Sequence, residues 1–132
     1  MIAIIGGAQA YRLLEMGSFA GRRLGRTKTP FGESAPLHHV QGDAGDFLFM
    51  PRHGEVGKHR SASFVNYRAN IYALKDKGVE SIVAWSGPGA IDPGLQAGQL
   101  VVPNDVIDET RSRESTFFDA SGVGFIRMRD PF

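Results

Sequence analysis

Apolar residues in this chain fall into short runs bounded by glycine, proline and polar clusters. Ile2 to Ile5 is an unbroken apolar run ended by Gly6-Gly7, the pattern of a strand buried on both faces. Asp46-Phe47-Leu48-Phe49-Met50 repeats the pattern and is stopped by Pro51. Ser81-Ile82-Val83-Ala84-Trp85 and Leu100-Val101-Val102 read as two further strands, the first of them buried. From Ser63 to Lys77 the period changes and predicts a helix. Val65, Ala69, Tyr72, Ala73 and Asp76 would share one side, with Phe64, Ile71 and Leu74 widening the apolar face. Ser61 or Ser63 would cap its start, and Gly78 fits the left-handed position past its end. Tyr11 to Ser18 predicts a short helix, and Thr29-Pro30-Phe31-Gly32 is a turn signal within the Gly-, Pro-, Thr- and Arg-rich segment 21–36. Strand, helix, strand with short glycine connections gives an α/β class: a mixed, largely parallel twisted sheet flanked by helices, with a right-handed crossover. No internal repeat or linker interrupts the pattern, so residues 1–132 are expected to form a single domain.

Composition narrows the function classes. The 132 residues, 42% hydrophobic, suffice for one real core. Fifteen basic and fourteen acidic residues leave a net charge of +1, which gives no electrostatic footprint for nucleic acid. The absence of cysteine removes disulfides, thiolate zinc sites and cysteine nucleophiles, and suits a reducing, cytoplasmic setting. The apolar start lacks a basic leader and reads as a strand rather than a signal peptide. No run approaches the roughly 20 apolar residues of a membrane span.

Ligands of open α/β sheets sit outside the carboxyl ends of the strands. Three turns fall there: Gly6-Gly7, Arg52-His53 and Ser86-Gly87. Consecutive glycines let backbone N–H groups approach a phosphate. Arg52 offers a planar fork of donors, Ser86 a hydroxyl and Gly87 an unshielded N–H. Taken singly, each is an ordinary tight turn or solvated loop; together they could converge on one inorganic phosphate. His38, His39, His53 and His59 lack a carboxylate at helical spacing, so no metal site is expected. Gly87-Pro88-Gly89 does not extend to a dinucleotide fingerprint, and no Walker-type motif occurs. Asp105, Asp108 and Glu109, beside Arg111 and Arg113, read as a solvated, ion-paired face rather than an acid/base pair. Trp85 and Phe117-Phe118 read as core or interface rather than a base-stacking platform.

The order of blocks carries a further message. The strand-turn start Ile2-Ala3-Ile4-Ile5-Gly6-Gly7 is followed by Pro51-Arg52-His53-Gly54 and Asn66-Tyr67-Arg68-Ala69-Asn70. Gly98-Gln99-Leu100-Val101-Val102-Pro103, Ser115-Thr116-Phe117-Phe118-Asp119 and Asp130-Pro131-Phe132 complete the series. In this order the chain resembles the N-terminal half of the trimeric purine nucleoside phosphorylases, and among them the 5'-methylthioadenosine phosphorylases. The resemblance implies a phosphate-binding set of Gly7, Ala8, Arg52, His53, Ser86 and Gly87. Ala8 stands where the family's first loop carries Ser or Thr, and Ser86-Gly87 aligns with its Thr-Ala or Ser-Ala pair. Gly89-Ala90 replaces a Gly-Ser, and one residue is inserted between Gly54 and His59. A histidine lent to the neighbouring subunit is replaced at or near Phe125. No residue of this chain is assigned a catalytic role.

The resemblance implies a subunit of a split phosphorylase. With inorganic phosphate as co-substrate and no cofactor, it would cleave the N-glycosidic bond of a purine nucleoside to free base and a ribose-1-phosphate derivative. A second chain would supply the base- and ribose-binding half, in a hetero-oligomer of trimeric symmetry, and the isolated chain should be inactive. Two other readings stand beside it: a catalytically silent structural or regulatory subunit of a full-length paralogue, and an unrelated phosphate- or nucleotide-binding α/β domain.

Overall fold

The computed structural model describes residues 1–7, 10–17, 20–55, 60–118, 120 and 124. The chain divides into two compact units, Met1–Gly87 and Pro88–Phe132. In the first unit the elements run β1 (Ile2–Gly6), α1 (Tyr11–Glu15), β2 (Gly21–Gly25), β3 (Lys28–Thr29), β4 (Gly32–Glu33), β5 (Leu37–Val40), β6 (Phe47–Pro51), α2 (Tyr67–Asp76) and β7 (Ser81–Trp85). Five strands form a sheet in the order β2-β5-β6-β1-β7, and β3 pairs with β4 as a separate hairpin. β1 lies parallel to both β6 and β7, whereas β5 runs antiparallel to β6 and to β2. The sheet is thus mixed, with a parallel trio at one side. Segment 21–40 contributes two sheet strands and a hairpin whose turn falls at Pro30-Phe31, inside the signal read from sequence.

Strand alternation distributes the core between the two faces. Leu48 and Met50 of β6 join Ala3, Leu37, Ala73 and Leu74 in a cluster against α2. Phe49, one residue out of phase, joins Val40 and Ala10 on the other face, where Leu14 of α1 packs. α2 begins at Tyr67, after a 3-10 turn over Ala62–Phe64. Its cap is Asn66, whose side chain accepts the Ala69 N–H at 3.0 Å, and not Ser61 or Ser63. Val65 is extended, at φ −69° and ψ 130°, so the helix cannot start earlier. Its buried residues are Ala69, Asn70, Ala73 and Leu74, while Phe64, Ile71 and Tyr72 are exposed. Asn70 thus holds a core position that apolar periodicity had given to Tyr72. At the far end Gly78 takes φ +74°, the left-handed geometry expected of it.

Two strand expectations change. β7 forms as predicted but is exposed along its length, with Trp85 44% exposed, and among the described residues it pairs with β1 alone. In the second unit Leu100-Val101-Val102 forms no strand: Leu100 and Val102 are 88% and 91% exposed, and no neighbouring strand among the described residues satisfies their backbone. Phe117 and Phe118 are likewise outside the core. Among the described residues no helix is long and apolar enough to cross a membrane.

Candidate functional site

The parallel trio brings the three turns to one edge. Gly6 is in register with Pro51 on one side and with Trp85 on the other, so β6, β1 and β7 end side by side. The turns are stitched together where they leave the sheet. Arg52 N–H donates to the Gly6 carbonyl at 3.1 Å, and Gly7 N–H to the Trp85 carbonyl at 2.7 Å. A side chain on Gly7 would come within 2.9 Å of Ser86 Cβ and 3.2 Å of the Trp85 oxygen, so only glycine permits this approach. The Gly7 N–H is spent on the Trp85 carbonyl, and the residue allows the two turns to pack closely. Ala8 lies outside the described residues. Ser86 and Gly87 are exposed at the same edge.

Arg52 and His53 are held as a unit. Arg52 Nε–H donates to His53 Nε2 at 3.2 Å, which requires the lone pair on that nitrogen. His53 Nδ1–H is then the donor to the Arg60 carbonyl at 2.8 Å, and Arg60 N–H returns a bond to the His53 carbonyl at 2.8 Å. Arg52 keeps its terminal guanidinium nitrogens free of hydrogen bonds among the described residues, the part of the fork suited to a phosphate oxygen. Gly54 N–H closes the turn onto the Pro51 carbonyl at 2.9 Å.

A second tether was not legible in the sequence. Glu55, two residues past His53, receives both Arg23 Nε–H at 2.7 Å and an Arg23 terminal nitrogen at 3.1 Å. This fork ties the turn after β6 to β2, across the sheet. The Arg23 hydrogen bond holds the Glu55 carboxyl below its ordinary pKa, and the same pair raises that of Arg23. His38, buried on β5, sets Nε2 3.6 Å from Glu55, too long for a hydrogen bond. Burial pushes the His38 pKa down, against the opposing pull of Glu55. The remaining histidines are accounted for separately: His39 lies 3.1 Å from Asp46, and His59 is outside the described residues.

Other named groups have local partners of their own. Asp105 and Asp108 bind the N–H groups of Val106 and Thr110 in their own exposed turns, at 2.7 and 2.9 Å. The Thr110 backbone bond keeps the Asp108 carboxyl below its usual range. Asn66 and Asn70 are ties between α2 and the preceding hairpin. Asn66 Nδ2 donates to the Phe31 carbonyl at 2.6 Å, and Asn70 Oδ1 accepts the Ala35 N–H at 2.6 Å. A pocket of about 160 Å³ opens between that hairpin, α2 and the turn after β6. It takes in Arg52 and His53 but neither Gly7 nor Ser86, so it is not the three-turn edge itself.

Known proteins place this arrangement in context. A probable S-methyl-5'-thioinosine phosphorylase of Methanothermobacter thermautotrophicus is 39% identical over 132 residues, all of this chain and 46% of that protein. A probable 6-oxopurine nucleoside phosphorylase of Korarchaeum cryptofilum is 40% identical over 131 residues, 98% of this chain and 45% of that protein. Among solved structures, the methylthioadenosine phosphorylase of Schistosoma mansoni in complex with adenine matches with a TM-score of 0.81 at 33% identity, over 99% of this chain and 48% of its own. The chain spans about half the length of the curated relatives it matches. The family model described as the phosphorylase superfamily matches residues 1–132 throughout, and the chain belongs to that superfamily.

Proposed function

We propose that this chain forms the phosphate-binding part of a purine nucleoside phosphorylase, a pentosyltransferase, acting on 5'-methylthioadenosine. The observation that carries the reading is the convergence of the turns after β1, β6 and β7 at one sheet edge. There the Arg52 fork, the Ser86 hydroxyl and the Gly87 N–H hold one inorganic phosphate, with His53 fixing Arg52. A phosphate oxygen attacks C1' of the nucleoside as the C1'–N bond breaks, and the bonding pair leaves with the base, which is protonated as it departs. The phosphate dianion stabilises the cationic sugar of the transition state, so its exact placement governs the rate. Products are the free base and a ribose-1-phosphate derivative, with no cofactor required.

Contacts to base and ribose come, in this reading, from a second chain that completes a hetero-oligomer of trimeric symmetry. The exposed β7 edge supports it. The test is purification of the native protein with its bound partner, followed by phosphorolysis assays on 5'-methylthioadenosine, adenosine and inosine. Phosphate-dependent release of adenine from the complex, and none from the isolated chain, is expected. Phosphate-independent base release, or no release from any complex, would overturn the proposal.

A further inference from the structure

His38 carries a buried Nε2 that makes no hydrogen bond among the described residues. Its side chain, on β5, is 9% exposed. A buried polar atom in that state costs free energy. Glu55 Oε1 faces it at 3.6 Å, just beyond hydrogen-bond reach. A protonated ring has an N–H at Nε2, and such a group bonds a carboxylate at about 2.7–2.9 Å. Closing the gap takes a movement of about 0.8 Å.

The two partners are not equally free to move. His38 is fixed in the ladder, opposite Arg23 of β2 and Phe49 of β6. Glu55 lies past the sheet, on the turn after β6, and Gly54 separates it from His53. Gly54 takes φ +100°, backbone that gives this turn a permissive joint. Glu55 Oε1 already accepts Arg23 Nε–H at 2.7 Å, and a carboxylate oxygen has a second lone pair to offer. A bond from His38 would therefore add to the Arg23 fork and need not break it.

The charges acting on His38 among the described residues are Glu55, which favours the protonated ring, and Arg23, which opposes it. Arg26 acts on Glu55 in turn. β6 sets the apolar Phe49 opposite His38, and α1 packs on this face through Leu14; Tyr11, Arg12 and Glu15 of α1 do not act on the ring. Burial outweighs the pull of Glu55, so the ring takes its proton below the ordinary value of about 6.5.

We propose that His38, Glu55 and Arg23 form a proton-operated latch: on protonation His38 Nε2–H donates to Glu55 Oε1 and draws the turn after β6 onto β5. That turn carries Arg52 and His53, so the latch sets their position according to pH. The inference rests on the His38–Glu55 geometry and stands whether or not the chain takes part in phosphorolysis.

The test is a pH titration by NMR, from 8 to 5, of the labelled full chain with any partner it retains. A His38 Nε2–H proton, sheltered from exchange by its bond, should appear at the acid end. The Gly54 and Glu55 backbone amides should shift with the same midpoint as the His38 ring. His38→Leu should abolish that step in both amides. Glu55→Gln keeps an acceptor for Arg23 but removes the charge; in it the His38 midpoint should fall further and the Nε2–H signal should be lost. If His38→Leu fails to fold by circular dichroism, Glu55→Gln decides alone. Amides that ignore the His38 midpoint, a step that persists in His38→Leu, or a midpoint unchanged or raised in Glu55→Gln would each overturn the proposal.

Discussion

Arg52 is held at one nitrogen and open at the others, and this split is what a lysine cannot reproduce. Under the proposed function, Arg52→Lys should raise the phosphate KM by the equivalent of about 1.5–3 kcal/mol, with the nucleoside KM little changed. An unaltered phosphate dependence in steady-state kinetics would remove Arg52 from the site. His38 makes a prediction about stability. Its folded pKa is depressed by burial, so the unfolded chain binds the proton more readily. Stability is then complete above the unfolded value of about 6.5 and is lost as pH falls below it. Glu55, also depressed, acts in the same direction in a lower window, beneath the ordinary carboxylate range. Thermal melts from pH 7.5 to 5 should show a falling Tm, and His38→Gln should flatten the upper part of that fall; an equal slope in the variant would contradict it. Arg52 could be found in the sequence because Pro51 announces the end of a strand. Glu55 could not, because its partner Arg23 lies on another strand and no periodic pattern links residues 32 positions apart.

Asn66 shows how much one side chain contributes to an element. Its oxygen caps α2 and its nitrogen holds the Phe31 carbonyl, so the helix start and the preceding hairpin are fixed together. Asn66→Ala should lower stability by about 2 kcal/mol, from the lost cap and the orphaned carbonyl. Asn66→Asp keeps the acceptor and loses only the donor, and should recover about half of that loss in urea denaturation. Equal losses in the two variants would show that the cap contributes nothing. The helix itself was legible from its period and from Gly78; its first residue was not, because the serines sit before an extended Val65. The runs that became β1 and β6 were legible because both are lined by core on two faces. Leu100-Val101-Val102 has the same composition without a partner strand, and a run of three apolar residues does not record whether a neighbour exists.

For the whole molecule, the exposed edge at β7 is the dominant feature. Ile82, Val83 and Trp85 are all exposed on a strand that, among the described residues, is paired along one side, a geometry that invites another strand. The chain purified alone should self-associate or precipitate, and light scattering after size exclusion measures this. Val83→Lys should restore a monomer. A soluble, monomeric isolated chain would contradict this. The strand order holds one more consequence, in time rather than in space. β1 is synthesised first, yet its neighbours arrive at Phe47–Pro51 and Ser81–Trp85, so the centre of the parallel trio waits for both. Such long-range pairing must meet loop-closure entropy before any contact repays it, placing folding roughly in the millisecond-to-second range. The edge where all three strands end is therefore assembled only after β7 has emerged, and a ribosome stalled short of Trp85 holds a chain with no such edge.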